Sequence, residues 1–104
     1  MMEGRIECTK NKMRLLLPCE VDHHILSMMR HSVDKMLFES KPKELLIDFS
    51  MVEMMDSSAI GLIVGRLEIC ERIGATLSLT GLGDRTRRLL ELGGVTQFSA
   101  ISIV

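Results

Sequence analysis

The residues with the most chemical potential form a short run, Asp56-Ser57-Ser58, placed where a polar connection gives way to an apolar helical pattern. Two hydroxyls behind a carboxylate at such a boundary have two uses. One is to cap the helix, a serine oxygen accepting a hydrogen bond from a free backbone N–H. The other is to take a phosphate, which adds about −1.5 to −2 charges and is tolerated by the dipole and unpaired amides of a helix start. An earlier cluster, Glu20-Val21-Asp22-His23-His24, offers a second helix start with Asp22 as its cap. Adjacent histidines could serve metal ligation or phosphohistidine chemistry. No ligand set of matching spacing accompanies them, so they read as solvated first-turn residues. Cys8, Cys19 and Cys70 are scattered, odd in number and without metal-ligand spacing, which points to reduced thiols and no metal centre.

The elements that must position these groups follow from periodicity. Arg5 to Thr9 and Lys12 to Leu17 read as a hairpin across Lys10-Asn11, with Pro18 ending the second strand. A helix from about His23 to Phe38 places Ile25, Met29, Val33, Met36 and Leu37 on one face, and Lys41-Pro42 closes it. Glu44 to Phe49 suits a buried central strand. Ser50 to Met55 is a connecting loop, and Ser57 to Ile73 is a second helix ended by Gly74. Ala75 to Thr80 is a strand, Asp84 caps a third helix over Arg85 to Leu92, Gly93-Gly94 ends it, and Val95 to Val104 supplies a last short strand. The order β-β-α-β-α-β-α-β predicts an α/β fold: a small mixed sheet with parallel crossovers after the opening hairpin.

Within the second helix, Ile60, Ile63, Val64, Leu67 and Cys70 form the expected core stripe. Ser57, Gly61, Gly65, Glu68 and Arg72 lie together on another side. Each glycine inside a helix costs roughly 1 kcal/mol relative to alanine, so the pair requires a compensating role. Two remain open here: tight packing against the sheet, or close approach by a partner on a surface free of side chains next to Ser57.

Composition narrows the function classes. The 104 residues fit one domain, and 46% hydrophobic content suffices for a packed core. A net charge of −1 argues against nucleic acid as a direct partner, and Arg85, Arg87 and Arg88 read as a solvated helix face. With no Trp or Tyr there is no stacking platform for bases. No apolar run approaches the roughly 20 residues that span a bilayer, and the opening MMEGRIECTK lacks the apolar stretch of a leader peptide. The expectation is a cytoplasmic protein with no membrane contact. Neither a Walker-type loop nor a kinase motif is present, so no nucleotide or other cofactor is expected on this chain.

The stretch Asp56-Ser57-Ser58-Ala59-Ile60-Gly61, preceded by the strand Leu45 to Phe49 and followed by Gly65-Arg66, resembles the signature of the STAS domain family. Within it the chain is most similar to bacterial anti-sigma factor antagonists, particularly the sporulation type that acts on the anti-sigma F kinase. Glu20-Val21-Asp22-His23-His24 resembles that group's Glu-Leu-Asp-His-His, and the likeness covers about Leu15 to Val95. It implies a STAS fold over residues 1–104, with helices packed mainly on one side of the sheet. It also implies that Ser57 is the phosphoacceptor and that Asp22, Asp56, Ser58, Gly61, Gly65 and Arg66 belong to the partner surface. The partners implied are an anti-sigma factor that is itself a serine kinase, carrying the ATP, and a separate serine phosphatase. Unphosphorylated protein would bind the anti-sigma factor and free a sigma factor; phosphorylation would end that binding. The chain itself would not be an enzyme. Ala59 stands where the family often has glycine, and Val21 where it has leucine. Family members commonly carry another helix after the last strand, so with this sequence ending at Val104 the last strand is expected to have atypical contacts. Two rival readings are a soluble STAS subunit docked on a membrane transporter and a phosphocarrier using His23 or His24.

Overall fold

A computed structural model describes residues 4–104. Met1 to Glu3, where the segment read as lacking an apolar leader begins, lie outside the described residues. The chain forms β1 (Arg5–Cys8), β2 (Lys12–Leu16), β3 (Glu20–Val21), α1 (His23–Ser40), β4 (Glu44–Asp48), β5 (Met54–Met55), α2 (Ser58–Ile73), β6 (Thr76–Thr80), α3 (Asp84–Leu92) and β7 (Ile101–Ile103). The main sheet has the order β1-β2-β4-β6-β7. Only the β1–β2 hairpin is antiparallel; β2–β4, β4–β6 and β6–β7 are parallel. From β2 onward each crossover advances one place in the same direction. Right-handed connections with that order carry all three helices to one face of the sheet.

That face is written in the alternation of the strands. Met13, Leu15 and Leu17, then Leu45, Ile47 and Phe49, then Leu77 and Leu79 are all essentially inaccessible and form the core with the helices. The opposite face carries Glu7, Arg14 and Asp48, where the buried Asp48 carboxylate is paired with Arg14. The cost of burying that carboxylate is outweighed by hydrogen bonds from Ser50 and the Arg14 guanidinium, and Asp48 stays below the usual carboxylate range.

Two expectations need correction. The loop expected from Ser50 to Met55 contains β5, which pairs in parallel with β3 as a two-stranded ladder apart from the main sheet. Asp84 does not cap α3: the Gly83 carbonyl accepts from the Arg87 amide at 2.9 Å, which makes Gly83 the N-cap and places Asp84 in the first turn. The last short strand expected within the tail is Ile101–Ile103, after Val95–Gln97 turns as a short 3-10 helix. The expected helix faces are also rotated. In α1 the buried residues are Leu26, Val33 and Leu37, with Ile25, Met29 and Met36 half-buried. In α2 they are Ala59, Leu62, Ile63, Arg66, Leu67, Ile69 and Cys70, since this helix packs on α1 as well as on the sheet. Ile60 and Val64 are only half-buried.

Candidate functional site

The two polar clusters of the sequence meet because of β3 and β5. Glu20 pairs with Met54 and Val21 with Met55, the Cys19 carbonyl accepts from the amides of Glu53 and Met54 at 2.8 and 3.1 Å, and the Asp56 amide donates to the Val21 carbonyl at 3.1 Å. The next residues on each side are Asp22 and Asp56. The starts of α1 and α2 therefore leave one short ladder side by side, and their free amides open on the same region of the surface.

The two starts are built differently. At α1, Asp22 has extended backbone angles, φ −128° and ψ 176°, and its carboxylate accepts from the Ile25 amide at 2.9 Å. At α2 the N-cap position belongs to Ser57, whose backbone is already helical at φ −67° and ψ −11°, and whose side chain makes no capping hydrogen bond. Asp56 does that work from one residue earlier: its Oδ1 accepts from the Ser58 amide at 2.9 Å and from the Ser58 hydroxyl. Hydrogen bonding by the Ser58 hydroxyl and amide, with a smaller contribution from the His23 amide and ring, holds the Asp56 carboxyl below its usual range. Ser57 is exposed. Its hydroxyl is thus at a helix start without being spent on the helix.

Gly61 and Gly65 continue the surface from Ser57, one exposed and the other half-buried. A Cβ built on either meets no atom within 4 Å. Among the described residues no contact requires glycine at these positions, so tight packing against the sheet does not explain them. Gly93 is the contrast. A Cβ there would come within 2.2 Å of Ile60 Cδ1, because the end of α3 closes directly on the first turn of α2.

Arg66 is not gathered with the others. Its side chain is 6% exposed and lies between α2 and α1, with Nε 3.0 Å from Asp34 Oδ1 and Nη2 donating to Oδ2 at 3.3 Å. Among the described residues its Nη1 has no partner. Burial lowers the pKa of this guanidinium, and the Asp34 charge opposes that. The structure thus brings together Asp22, Asp56, Ser57, Ser58 and Gly61, with Gly65 at the margin, and places Arg66 as a tie between the helices that carry them. Sequence reasoning missed Asp34 entirely. The signal available was the spacing of Ile63, Arg66 and Cys70, which puts the arginine on a buried stripe.

His23 and His24 are exposed, and among the described residues no three His, Cys, Asp or Glu side chains are grouped to hold a metal ion. Burial pushes the Cys70 thiol up to about 11, and the Glu53 carboxylate, which accepts from Cys19 Sγ at 3.2 Å, raises Cys19. Neither thiol is poised to react. No helix among the described residues is long and apolar enough to cross a membrane.

Comparison with known proteins agrees with this geometry. The anti-sigma F factor antagonist of Paenibacillus polymyxa is 26% identical over 82 residues, which is 79% of this chain and 70% of that protein. The unphosphorylated anti-sigma factor antagonist SpoIIAA superimposes with a TM-score of 0.85 at 22% identity, covering 97% of this chain and 87% of that one. The phosphorylated form of the Bacillus cell fate determinant SpoIIAA superimposes with a TM-score of 0.76, also at 22% identity, covering 97% and 90%. These similarities are to the fold, the mostly parallel sheet with its three helices. The family model for the STAS domain matches residues 5–102, and the chain belongs to the STAS domain family.

Proposed function

We propose that this protein is an anti-sigma factor antagonist whose binding surface is the region around Ser57 and Gly61, and that phosphorylation of Ser57 switches it off. The observation that carries the reading is the uncommitted Ser57 hydroxyl, beside an open glycine surface, at a helix start whose cap is supplied by Asp56. Because Asp56 supplies the cap, modification of the Ser57 hydroxyl removes no hydrogen bond from the helix. Here the phosphate would leave the cap in place, so the modified protein stays folded while its surface changes. The relatives named as anti-sigma F factor antagonists supply the class of partner.

In this mechanism the unmodified protein works in the cytoplasm, docking an anti-sigma factor over Ser57, Ser58 and Gly61 so that a sigma factor is released. The anti-sigma factor is also the kinase and brings the ATP. Transfer to Ser57 forms the phosphoserine Oγ–P bond, breaks the bond between the γ-phosphorus and the β,γ-bridging oxygen of ATP, gives up the serine proton to a base on the kinase or to solvent, and leaves ADP on the partner. The new dianion stands beside the carboxylates of Asp56 and Asp22, in a surface shaped for close contact, and repels the partner by charge and bulk. A loss of about 3 kcal/mol lowers affinity more than a hundredfold, enough for a switch. A serine phosphatase restores binding.

The test incubates the protein with the anti-sigma kinase of its own host and ATP. Wild type incorporates phosphate and dissociates. Ser57→Ala incorporates none, binds permanently and unfolds at the wild-type temperature, and Ser57→Asp binds weakly. Equal incorporation by wild type and Ser57→Ala would remove Ser57 from the mechanism.

A further inference from the structure

Directly before Ser57 on the chain, β5 forms one wall of an open groove of about 310 Å³ whose other wall is α3. Met54 is 65% exposed and Leu92 is 81% exposed, far more than the fold requires of large apolar side chains. Met55 and Leu89 complete the apolar lining, and Arg85 and Arg88 stand beside it. Among the described residues neither arginine is in an ion pair. The one acidic lining residue, Glu53, accepts a hydrogen bond from Cys19.

This chemistry selects one kind of occupant. A small molecule would need convergent polar groups in an enclosed site, and the only hydroxyl in the lining, on Thr86, already donates to the Gly83 carbonyl at 3.0 Å. A second copy in a two-fold contact would set Arg85 and Arg88 against themselves. An amphipathic polypeptide segment with acidic flanks satisfies both features: apolar side chains enter between the flexible methionines and the leucines of α3, and carboxylates meet the arginines.

We propose that the groove between β5 and α3 is a second docking surface for the anti-sigma partner, taking an acidic amphipathic segment of that protein. The inference rests on the partner reading above and adds to it. The anti-sigma factor is held at two adjoining places, the Ser57 surface that phosphate disrupts and a groove that phosphate does not touch. The groove sets affinity and partner choice through its charge; the serine surface sets the timing.

The experiment labels the methionine methyl groups of the intact, unphosphorylated protein with ¹³C and titrates it with the purified anti-sigma factor of its host. The expected result is that the Met54 and Met55 methyl signals shift or broaden while the buried Met13 signal stays. The double variant Arg85→Glu/Arg88→Glu then binds at least about tenfold more weakly with an unchanged melting temperature, and Leu92→Asp does the same. Complex formation with Met54 unperturbed overturns the groove proposal, as does a charge-reversed variant that folds and binds within about twofold of wild type. If Ser57→Asp still weakens binding in that case, the partner reading stands alone. Absence of binding by both wild type and Ser57→Ala overturns the partner reading, and the groove with it. The methyl signals are read on wild-type protein, so the outcome does not depend on any variant folding.

Discussion

The two sides of α2 carry opposite demands on one element. The inner side is filled: Ala59, Ile63 and Cys70 have no measurable exposure, and Arg66 is held there by Asp34. The outer side, through Ser57, Gly61 and Gly65, is kept empty, although each glycine weakens the helix that carries it. The inner side explains why the helix exists and where it lies. The proposed docking surface gives the outer side its reason: a partner would come close there. Under that proposal a surface free of side chains serves approach from outside, whereas at Gly93 the internal neighbour Ile60 accounts for the glycine.

The largest effects should come from breaking the inner side. Ile63→Asp places an unpaired carboxylate in the core and should cost more than about 4 kcal/mol, so that thermal or urea unfolding finds little folded protein. Retention of the wild-type melting temperature would show that this side is not the core side. Asp34→Ala leaves the Arg66 guanidinium buried and unpaired, and should cost about 3 kcal/mol in urea unfolding. Asp34→Ala/Arg66→Met should recover much of that loss.

The outer side should respond in the opposite sense. Gly61→Leu should raise stability by about 0.5–1 kcal/mol, since leucine is the better helix former and a side chain there meets nothing. Binding of the anti-sigma factor should be lost at the same time. A destabilised Gly61→Leu whose binding follows its folded fraction would erase the contrast between the two sides.

The smallest effect is at the α2 cap and depends on pH. Asp56 is held below its ordinary pKa in the folded protein, so its stabilising contribution is present above the unfolded value, about 3.9, and fades as pH falls through the folded one. The stability difference between wild type and Asp56→Asn should be constant through neutral pH and shrink below about pH 4. A difference that stays the same from neutral pH down to pH 3 would show that the Asp56 carboxylate does not hold the cap.

Much of the architecture is legible in the sequence because its signals are long. Strands such as Glu44 to Asp48 and helices such as His23 to Ser40 have enough residues for a period to appear, and capping at Asp22 and Gly74 marks their ends. The ladder of β3 and β5 was not legible, because two residues display no alternation and the partner strand is distant in the chain. Arg66 illustrates a different failure. Charge is the usual sign of exposure, and it hides a buried arginine unless the counter-ion on another element is known. At the candidate site, the motif residues stand out by type, but the division of labour between Asp56 and Ser57 does not. It depends on whether the residue before the helix has extended or helical backbone angles, which is a matter of geometry alone.

The short ladder of β3 and β5 has a consequence for the motion of the site. It stands outside the main sheet and is tied by few backbone bonds, chiefly those to the carbonyls of Cys19 and Val21. Segments of that kind open locally, at a lower free energy than the strands of a core. When it opens, Asp22 and Asp56 part while β2, β4 and β6 remain intact, and the composite surface exists only in the closed population. A partner that grips both helix starts must select that population, and its affinity is reduced by the fraction of time the ladder spends apart.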